Sequence, residues 1–397
     1  MKGYDRELSK LRGEGLLRRP VCFDSSRNSR LIIHGKTFLN FSSNDYLNLA
    51  GNPAIIRATV SALRKLGVGS GASRLLSGTL SSHERLETRV ASFKKTRAAL
   101  LFNTGYAANT GVIPALSGDG SIIFSDELNH ASIIDGIKLS GADVRIYRHR
   151  DLEHLHSLLR KSSGSRKRQL IITDTVFSMD GDIAPLKDIL SLSELYDSDL
   201  MVDDAHGSGV LGRTGRGGLE HFRMKSGNII QMGTLSKASG CFGAFVAGSR
   251  GLINLLTNRA RSFIYSTSLP PAMAEAAVKA IDIIEFDSQD IRKKLWNNRH
   301  RLYNGLNNMG FDTLGSETPI IPLLAGDVKS AMKIGRHLYN KGIYAPAIRP
   351  PTVPMDKCRI RFSVTAAHSC NDIDMLLDCL RRFRPLRGVK RSRGQGV

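Results

Sequence analysis

Ile229-Ile230-Gln231-Met232-Gly233-Thr234-Leu235-Ser236-Lys237-Ala238-Ser239-Gly240 is the stretch whose reading decides the fold. A short apolar strand runs into small and hydroxyl residues, one lysine, and then glycine. Sheets covered by helices collect their ligands at the carboxyl ends of strands. Lys237 stands at such an end, well placed to form a Schiff base, and Thr234 and Ser236 flank it with hydroxyls suited to a phosphate. A loop lysine in a basic chain is otherwise a surface group, so the stretch needs a second signal.

That signal lies one βα unit upstream, in Met201-Val202-Asp203-Asp204-Ala205-His206-Gly207. Here a strand delivers a carboxylate and, three residues later, an imidazole. Pyridoxal phosphate needs an anion beside its ring nitrogen so that the protonated ring can act as an electron sink. Within the Asp pair, Asp203 is the choice because it follows the apolar strand directly, and His206 supplies a donor for the ring hydroxyl. Strand-Asp-x-x-His followed by strand-Thr-x-x-Lys reads as a pyridoxal phosphate site.

Outward from these two stretches the chain alternates strands and helices. Strands are expected over Ala98–Phe102, Ser121–Phe124, Val144–Tyr147, Leu170–Thr173, Leu200–Val202, Ile229–Met232 and Ala244–Ala247. Short apolar strands with helix-length spacers predict an α/β fold with a mostly parallel sheet covered on both faces. Phe102-Asn103-Thr104-Gly105-Tyr106 leaves the first strand for a helix whose N-terminal amides suit a phosphate. His130 leaves the next, placed to stack on a flat cofactor, and Ser178 follows the Leu170–Thr173 unit. Five strands therefore end in Gly105/Tyr106, His130, Ser178, Asp203/His206 and Thr234/Lys237, and that convergence predicts one large cofactor site.

The flanks are read more simply. Asp5 to Leu17 is expected as a short amphipathic helix, Ile32 to Leu39 as a hairpin, Phe41 to Leu47 as a donor-rich polar loop, and Pro53 to Leu66 as a helix. Gly67 to Thr79 has no preceding strand and no Gly-Lys-Ser/Thr, so it is read as a flexible loop near the site rather than a nucleotide loop. Ser82 to Phe93 follows, with Ser82 as its N-cap. A long helical stretch, Ala274 to Gly310, leads to a smaller α+β C-terminal domain with strands Ile320–Leu324, Ile343–Tyr344 and Arg359–Ser363. The expected division is residues 1–50, 51–285, 286–385, and a basic, disordered tail over 386–397. Arg349, in Ile348-Arg349-Pro350-Pro351-Thr352-Val353-Pro354, is held between prolines and can clamp a carboxylate with its fork.

At 397 residues and 41% hydrophobic content the chain can bury a large core. No apolar run approaches the roughly 18 residues of a membrane span, and Met1 to Pro20 lacks the apolar core of a secretory signal. The five cysteines are odd in number and scattered, with no C-x-x-C pair, which points to reduced thiols in a cytoplasm and to no zinc site. The 57 Lys+Arg against 36 Asp+Glu give a net charge of +21. These charges are spread along the chain, apart from seven in Arg381 to Val397, and no nucleic-acid module accompanies them. A polyanionic thioester would also be steered by such a field.

Together the motifs resemble those of the α-oxoamine synthases, pyridoxal phosphate enzymes of the aspartate aminotransferase fold (fold type I). The matching stretches are Ser43-Asn44-Asp45-Tyr46-Leu47, Gly69-Ser70-Gly71 with Ser77-Gly78, Phe177-Ser178-Met179-Asp180-Gly181-Asp182, Val202-Asp203-Asp204-Ala205-His206-Gly207 and Gly233-Thr234-Leu235-Ser236-Lys237. They cover nearly the whole chain, from about Phe41 to His368. The Ile348 to Pro354 stretch favours the biotin-biosynthetic branch over relatives making 5-aminolevulinate, 2-amino-3-oxobutyrate or sphingoid bases.

The resemblance implies roles residue by residue. Lys237 would hold the cofactor covalently, Gly105 and Tyr106 would bind its phosphate through their backbone, His130 would stack on the ring, and Asp203 would pair with the ring nitrogen. His206, Ser178 and Thr234 would contact the ring oxygen, cofactor edge or phosphate. Arg349 would hold the amino-acid carboxylate, with Asn44 also near substrate and Thr352 and Arg18 near the acyl chain. The implied reaction is a decarboxylating condensation of L-alanine with pimeloyl-CoA or a pimeloyl carrier protein, in a homodimer whose Ser266-Thr267 reaches the partner's phosphate. Condensation of glycine with acetyl- or succinyl-CoA, transamination, and nucleic-acid binding are the rival readings. Two departures stand out: Asp174 in place of a longer Glu, which bears on how substrate access is gated, and Ala72 in place of glycine.

Overall fold

The structure is a computed structural model and describes residues 2–383; the tail read as disordered lies outside the described residues. Contacts divide the chain into two units. The larger holds residues 44–178 and 182–293, and the smaller holds 2–43, 179–181 and 294–383.

The larger unit is built on a seven-stranded sheet. Its strands, in chain order, are β1 (Ala98–Phe102), β2 (Ser121–Asp126), β3 (Asp143–Tyr147), β4 (Arg168–Asp174), β5 (Asp199–Asp203), β6 (Ile230–Thr234) and β7 (Ala244–Gly248). They lie in the order β1-β7-β6-β5-β4-β2-β3, and only β7 runs against its neighbours. All the expected strands are present, most extended by one or two residues.

Alternation explains how the sheet is covered. Successive side chains point to opposite faces of a strand, so Ile123, Ile172, Met201 and Ile230 pack on one side against Val112, Ile113, Ile133 and Leu256. Ile122, Ile171, Leu200 and Val202 pack on the other against Leu155, Leu159, Leu186 and Ile189. β2 and β4 to β7 are accordingly apolar and almost wholly buried, as parallel strands covered on both faces must be. β3, at the edge, keeps most of its residues partly or fully exposed.

In the smaller unit, Arg30–Ile33 and Lys36–Asn40 form the expected hairpin. Ile343–Tyr344 adds in parallel to Lys36–Asn40, so N- and C-terminal segments share a sheet. A second sheet orders Ile320–Gly326, Cys358–Ser363 and Ala347–Ile348. Its apolar face packs with Phe41, Leu302, Leu306, Leu338 and Leu376.

Four local expectations need correction. The first helix spans Lys2–Gly13 and stops short of Leu17, because Gly15 turns to positive φ and the Leu16 and Leu17 amides both return to the Leu11 carbonyl. The helix expected from Ser82 begins at Ser81, and Ser82 lies buried inside it. Its entry is closed by His83, whose Nδ1 accepts the Leu80 amide at 3.0 Å. The stretch Ala274 to Gly310 is two helices, Pro271–Asp282 and Gln289–Asn308, parted by a wider turn at Ile283–Asp287. The Arg292 guanidinium takes up the Ile284 carbonyl freed there, at 2.8 Å.

The fourth concerns the Gly67 to Thr79 loop, which is tied down rather than flexible. Ser73 bridges Thr267, the Ser268 amide donates to Ala72, and Ser70 Oγ donates to the Ser268 carbonyl. Arg74 forks onto both oxygens of Glu87 at 2.8 and 3.1 Å. Among the described residues no helix is long and apolar enough to cross a membrane, and no cluster of three His, Cys, Asp or Glu side chains is placed to hold a metal ion.

Candidate active site

Strand ends position the site. β5 delivers Asp203 at its last residue, buried at 3% exposure. Its Oδ2 accepts Asn109 Nδ2 at 2.8 Å and its Oδ1 accepts the Ala205 amide at 3.0 Å. Among the described residues it makes no ion pair. A buried carboxylate is costly unless hydrogen bonds and a positive group compensate it.

Asn109 was not singled out in the sequence, yet it organises this end of the sheet. It sits on helix Gly105–Leu116, four residues after Gly105, and therefore on the same face as the helix start. It donates to Asp203 and also to Ser132 Oγ, at 2.9 Å. With that oxygen accepting, the Ser132 hydroxyl is free to donate to His130 Nδ1 at 2.8 Å, where the Ser132 amide also points. This leaves the imidazole proton of a neutral His130 on Nε2. Burial and the Lys237 charge lower the pKa of His130, with Asp203 opposing them. A neutral, rigidly held ring results. The visible signal was a lone Asn in an apolar helix; Ser132 gave none.

Asp174 closes the back of the site. It is the register partner of Asp203 on the neighbouring strand, and its Oδ2 accepts the His130 amide at 2.8 Å. Burial first, then the adjacent Asp203 charge, push its pKa well above the usual carboxylate range, against the pull of the His130 amide and Lys237. Asp174 is a buried residue that fixes the His130 loop.

The β6 end is built by a turn. Thr234 Oγ1 donates to the Gly243 carbonyl at 3.0 Å and accepts the Ser236 amide at 3.2 Å. Ser236 Oγ exchanges hydrogen bonds with Gly243. The turn thus holds Lys237 half-buried just beyond the strand. Gly233, one residue earlier, has room for no side chain, since a Cβ there would lie 2.5 Å from the Phe245 ring.

The remaining residues fall around this centre. Thr104 caps helix Gly105–Leu116 by accepting the Ala107 amide at 3.0 Å, which leaves the first-turn amides of Gly105 and Tyr106 without intrahelical partners. The Tyr106 hydroxyl is committed to Asp135. His206 is buried, with Nδ1 2.8 Å from the Tyr46 hydroxyl, and Tyr46 also reaches Asn44 Oδ1 at 3.3 Å. Tyr46 is a second residue the sequence reading quoted without giving it a role. Ser178 is half-buried, next to the pair in which Phe177 donates to the Asp182 carbonyl.

Asp204, the other member of the Asp pair, faces elsewhere. It forms an ion pair with Lys94 at 2.7 Å, both side chains 1% exposed. Gly218 and Ser208 also donate to it. Gly217, at φ 96°, must be glycine because a Cβ would fall on this carboxylate.

In the smaller unit the sequence-predicted Arg18, Arg349 and Thr352 come together. Arg18 donates to the Arg349 and Pro350 carbonyls at 3.1 and 2.9 Å and to Thr352 Oγ1 at 3.4 Å. Arg349 donates to the Leu17 carbonyl at 2.9 Å, and its Nε is buried without a partner. Burial and the Arg18 guanidinium lower the pKa of Arg349. The two guanidiniums are thus near enough for the charge of one to act on the other.

Comparison with known proteins follows the same lines. The aminotransferase class I and II profile matches residues 36–380. The chain belongs to the aminotransferase class I and II family. It is 48% identical to an 8-amino-7-oxononanoate synthase of Geotalea daltonii, over 96% of this chain and 97% of that one. It is 47% identical to one of Thermoanaerobacter pseudethanolicus, over 94% of each. Among solved structures, a serine palmitoyltransferase of S. paucimobilis with a bound PLP–myriocin aldimine superposes with TM-score 0.90 at 30% identity, covering 96% of each chain. An 8-amino-7-oxononanoate synthase of Francisella tularensis gives 0.76 at 29%, covering 87% of this chain and 97% of that one. A fold-type I, mostly parallel α/β architecture in this family is thereby common ground.

Proposed function

We propose that this chain is a pyridoxal phosphate-dependent acyltransferase that condenses L-alanine with a pimeloyl thioester, releasing CO2 and the carrier thiol and yielding 8-amino-7-oxononanoate for biotin synthesis. The observation that carries the reading is the buried Asp203 carboxylate, anchored by Asn109 at the end of β5, beside the strand whose end leads into Lys237. Near-half identity over nearly full length to 8-amino-7-oxononanoate synthases supports the substrate pair.

Bound here, pyridoxal phosphate supplies an aldehyde for amines and a ring that spreads carbanion charge once its nitrogen is protonated. Asp203 holds that proton in place. The neutral His130 ring offers a flat face for stacking, and the Gly105 and Tyr106 amides with Thr234 suit the phosphate. His206 and Ser178 supply donors at the ring edge. Lys237 Nζ is the covalent attachment point and the base that takes the alanine Cα proton. Arg349 holds the alanine carboxylate, and Asn44, Arg18 and Thr352 contact the substrates, the last two beside the acyl chain. The new bond joins alanine Cα to the thioester carbonyl, the thiol leaves, and loss of CO2 followed by protonation completes the reaction.

The functional unit is a homodimer in the cytoplasm, with Ser266-Thr267 toward the partner's phosphate. Ile56, Val60 and Leu63 form an exposed apolar stripe on helix Pro53–Leu66 that a second copy would cover. The likeness to serine palmitoyltransferases calls for a direct comparison. Thiol release should be fast with alanine and pimeloyl-CoA and slow with serine and palmitoyl-CoA or glycine and succinyl- or acetyl-CoA. Preference for either of the other pairs would replace this reading.

A further inference from the structure

His149 lies outside every motif assigned above, yet it joins two of them. Its Nδ1 donates to Asp126 at 3.0 Å and its Nε2 to Asp182 at 2.8 Å. Asp126 ends β2 and begins the loop to His130: its Oδ1 also accepts the Leu128 amide at 2.9 Å, and its carbonyl accepts the Asn129 amide. Asp182 closes the turn around Ser178, where Val176 bridges Ile183 and Phe177 donates to the Asp182 carbonyl. The His149 ring stands edge-on to Phe177, centroids 4.4 Å apart.

We propose that His149, clamped between Asp126 and Asp182, is a positioning residue that fixes the His130 loop and the Ser178 turn against each other. A two-point bridge of this kind needs donors on both ring nitrogens, which only the protonated imidazole has. The groups facing the ring are Asp126 from β2, Asp182 from the Ser178 turn, and Arg150 from its own turn, which also donates to Asp182 at 3.1 Å. Tyr147 senses Asp126 from the buried side, and Glu127 accepts the His149 amide at 2.9 Å. Burial opposes the charge on His149, but the two aspartates outweigh it and raise its pKa from 6.5 to about 9. Asp182 moves the opposite way, lowered by His149 and Arg150 against its burial. The clamp is therefore present in full below the unfolded value near 6.5 and is lost as pH rises through about 9.

The proposal rests on the cofactor roles given to His130 and Ser178, and the test separates the two. In the cofactor-loaded enzyme, the His149 imidazole should titrate by NMR near pH 9. Pyridoxal phosphate affinity should fall across the same range. His149→Gln should bind the cofactor roughly tenfold more weakly at neutral pH, as expected for losing one charged hydrogen bond, and should lack the alkaline step. Asp182→Asn, which keeps the shape and one anchor, should show a smaller loss in the same direction. His149 titrating near 6.5, or both variants binding the cofactor as the wild type does with the step intact, would overturn the proposal. A wild-type protein that bound no pyridoxal phosphate would overturn the site reading and this proposal with it.

Discussion

Asp203 and Asp174 are register partners on adjacent strands, and the structure gives them opposite demands. Burial and its neighbour raise the pKa of Asp174, and its oxygen accepts the His130 amide, a contact that the amide oxygen of Asp174→Asn keeps. That variant should keep most of its turnover. Asp203→Asn should fold normally but lose most activity, because a neutral amide cannot hold the proton on the cofactor ring nitrogen. Steady-state rates of the two variants beside matched unfolding curves decide the matter; a crippled Asp174→Asn with an active Asp203→Asn would reverse the assignment. Asp203 was legible in the sequence because it follows an apolar strand. Asn109, Ser132 and Tyr46 were not, since their value comes from sheet order and register, which bring together groups far apart in the chain.

At the scale of elements, the turn after β5 is held from behind by a charge. Lys94 closes the helix Ser81–Lys94 and reaches Asp204 across 110 residues of sequence. With both groups almost fully buried, removing one partner leaves an uncompensated charge, which costs about 3–5 kcal/mol. Lys94→Met should lower the unfolding free energy by that order in urea titration, and Asp204→Asn should recover part of it when added to Lys94→Met. Additive losses in the double variant would show that the two side chains are not coupled. The strands themselves were legible to within a residue or two, because their apolar runs must be covered on both faces. The Gly67 to Thr79 loop was misread as flexible because its restraints come from Thr267 and Ser268, far along the chain.

On the scale of the whole molecule, each unit carries some of the residues proposed to act. The larger holds Lys237, Asp203 and His130, while the smaller gathers Arg18, Arg349 and Thr352. Arg349 was legible from its prolines; its pairing with Arg18 was not, because 331 residues separate them. If Arg349 holds the alanine carboxylate, a charged hydrogen bond worth roughly 1.5–3 kcal/mol is at stake. Arg349→Ala should then raise the alanine half-saturation roughly tenfold to a hundredfold, with the bound-cofactor absorbance unchanged. Arg349→Lys should recover only part, since an ammonium cannot form the fork. An unchanged alanine titration in Arg349→Ala would move the carboxylate site elsewhere.

The central claim is that Lys237, at the end of β6, carries pyridoxal phosphate. Borohydride reduction of the cofactor-loaded protein, followed by proteolysis and peptide mass mapping, tests it most directly. The account predicts one modified lysine, Lys237, and no stable label in Lys237→Ala. A label fixed on another lysine, Lys94 included, or a protein that takes up no cofactor, would contradict it.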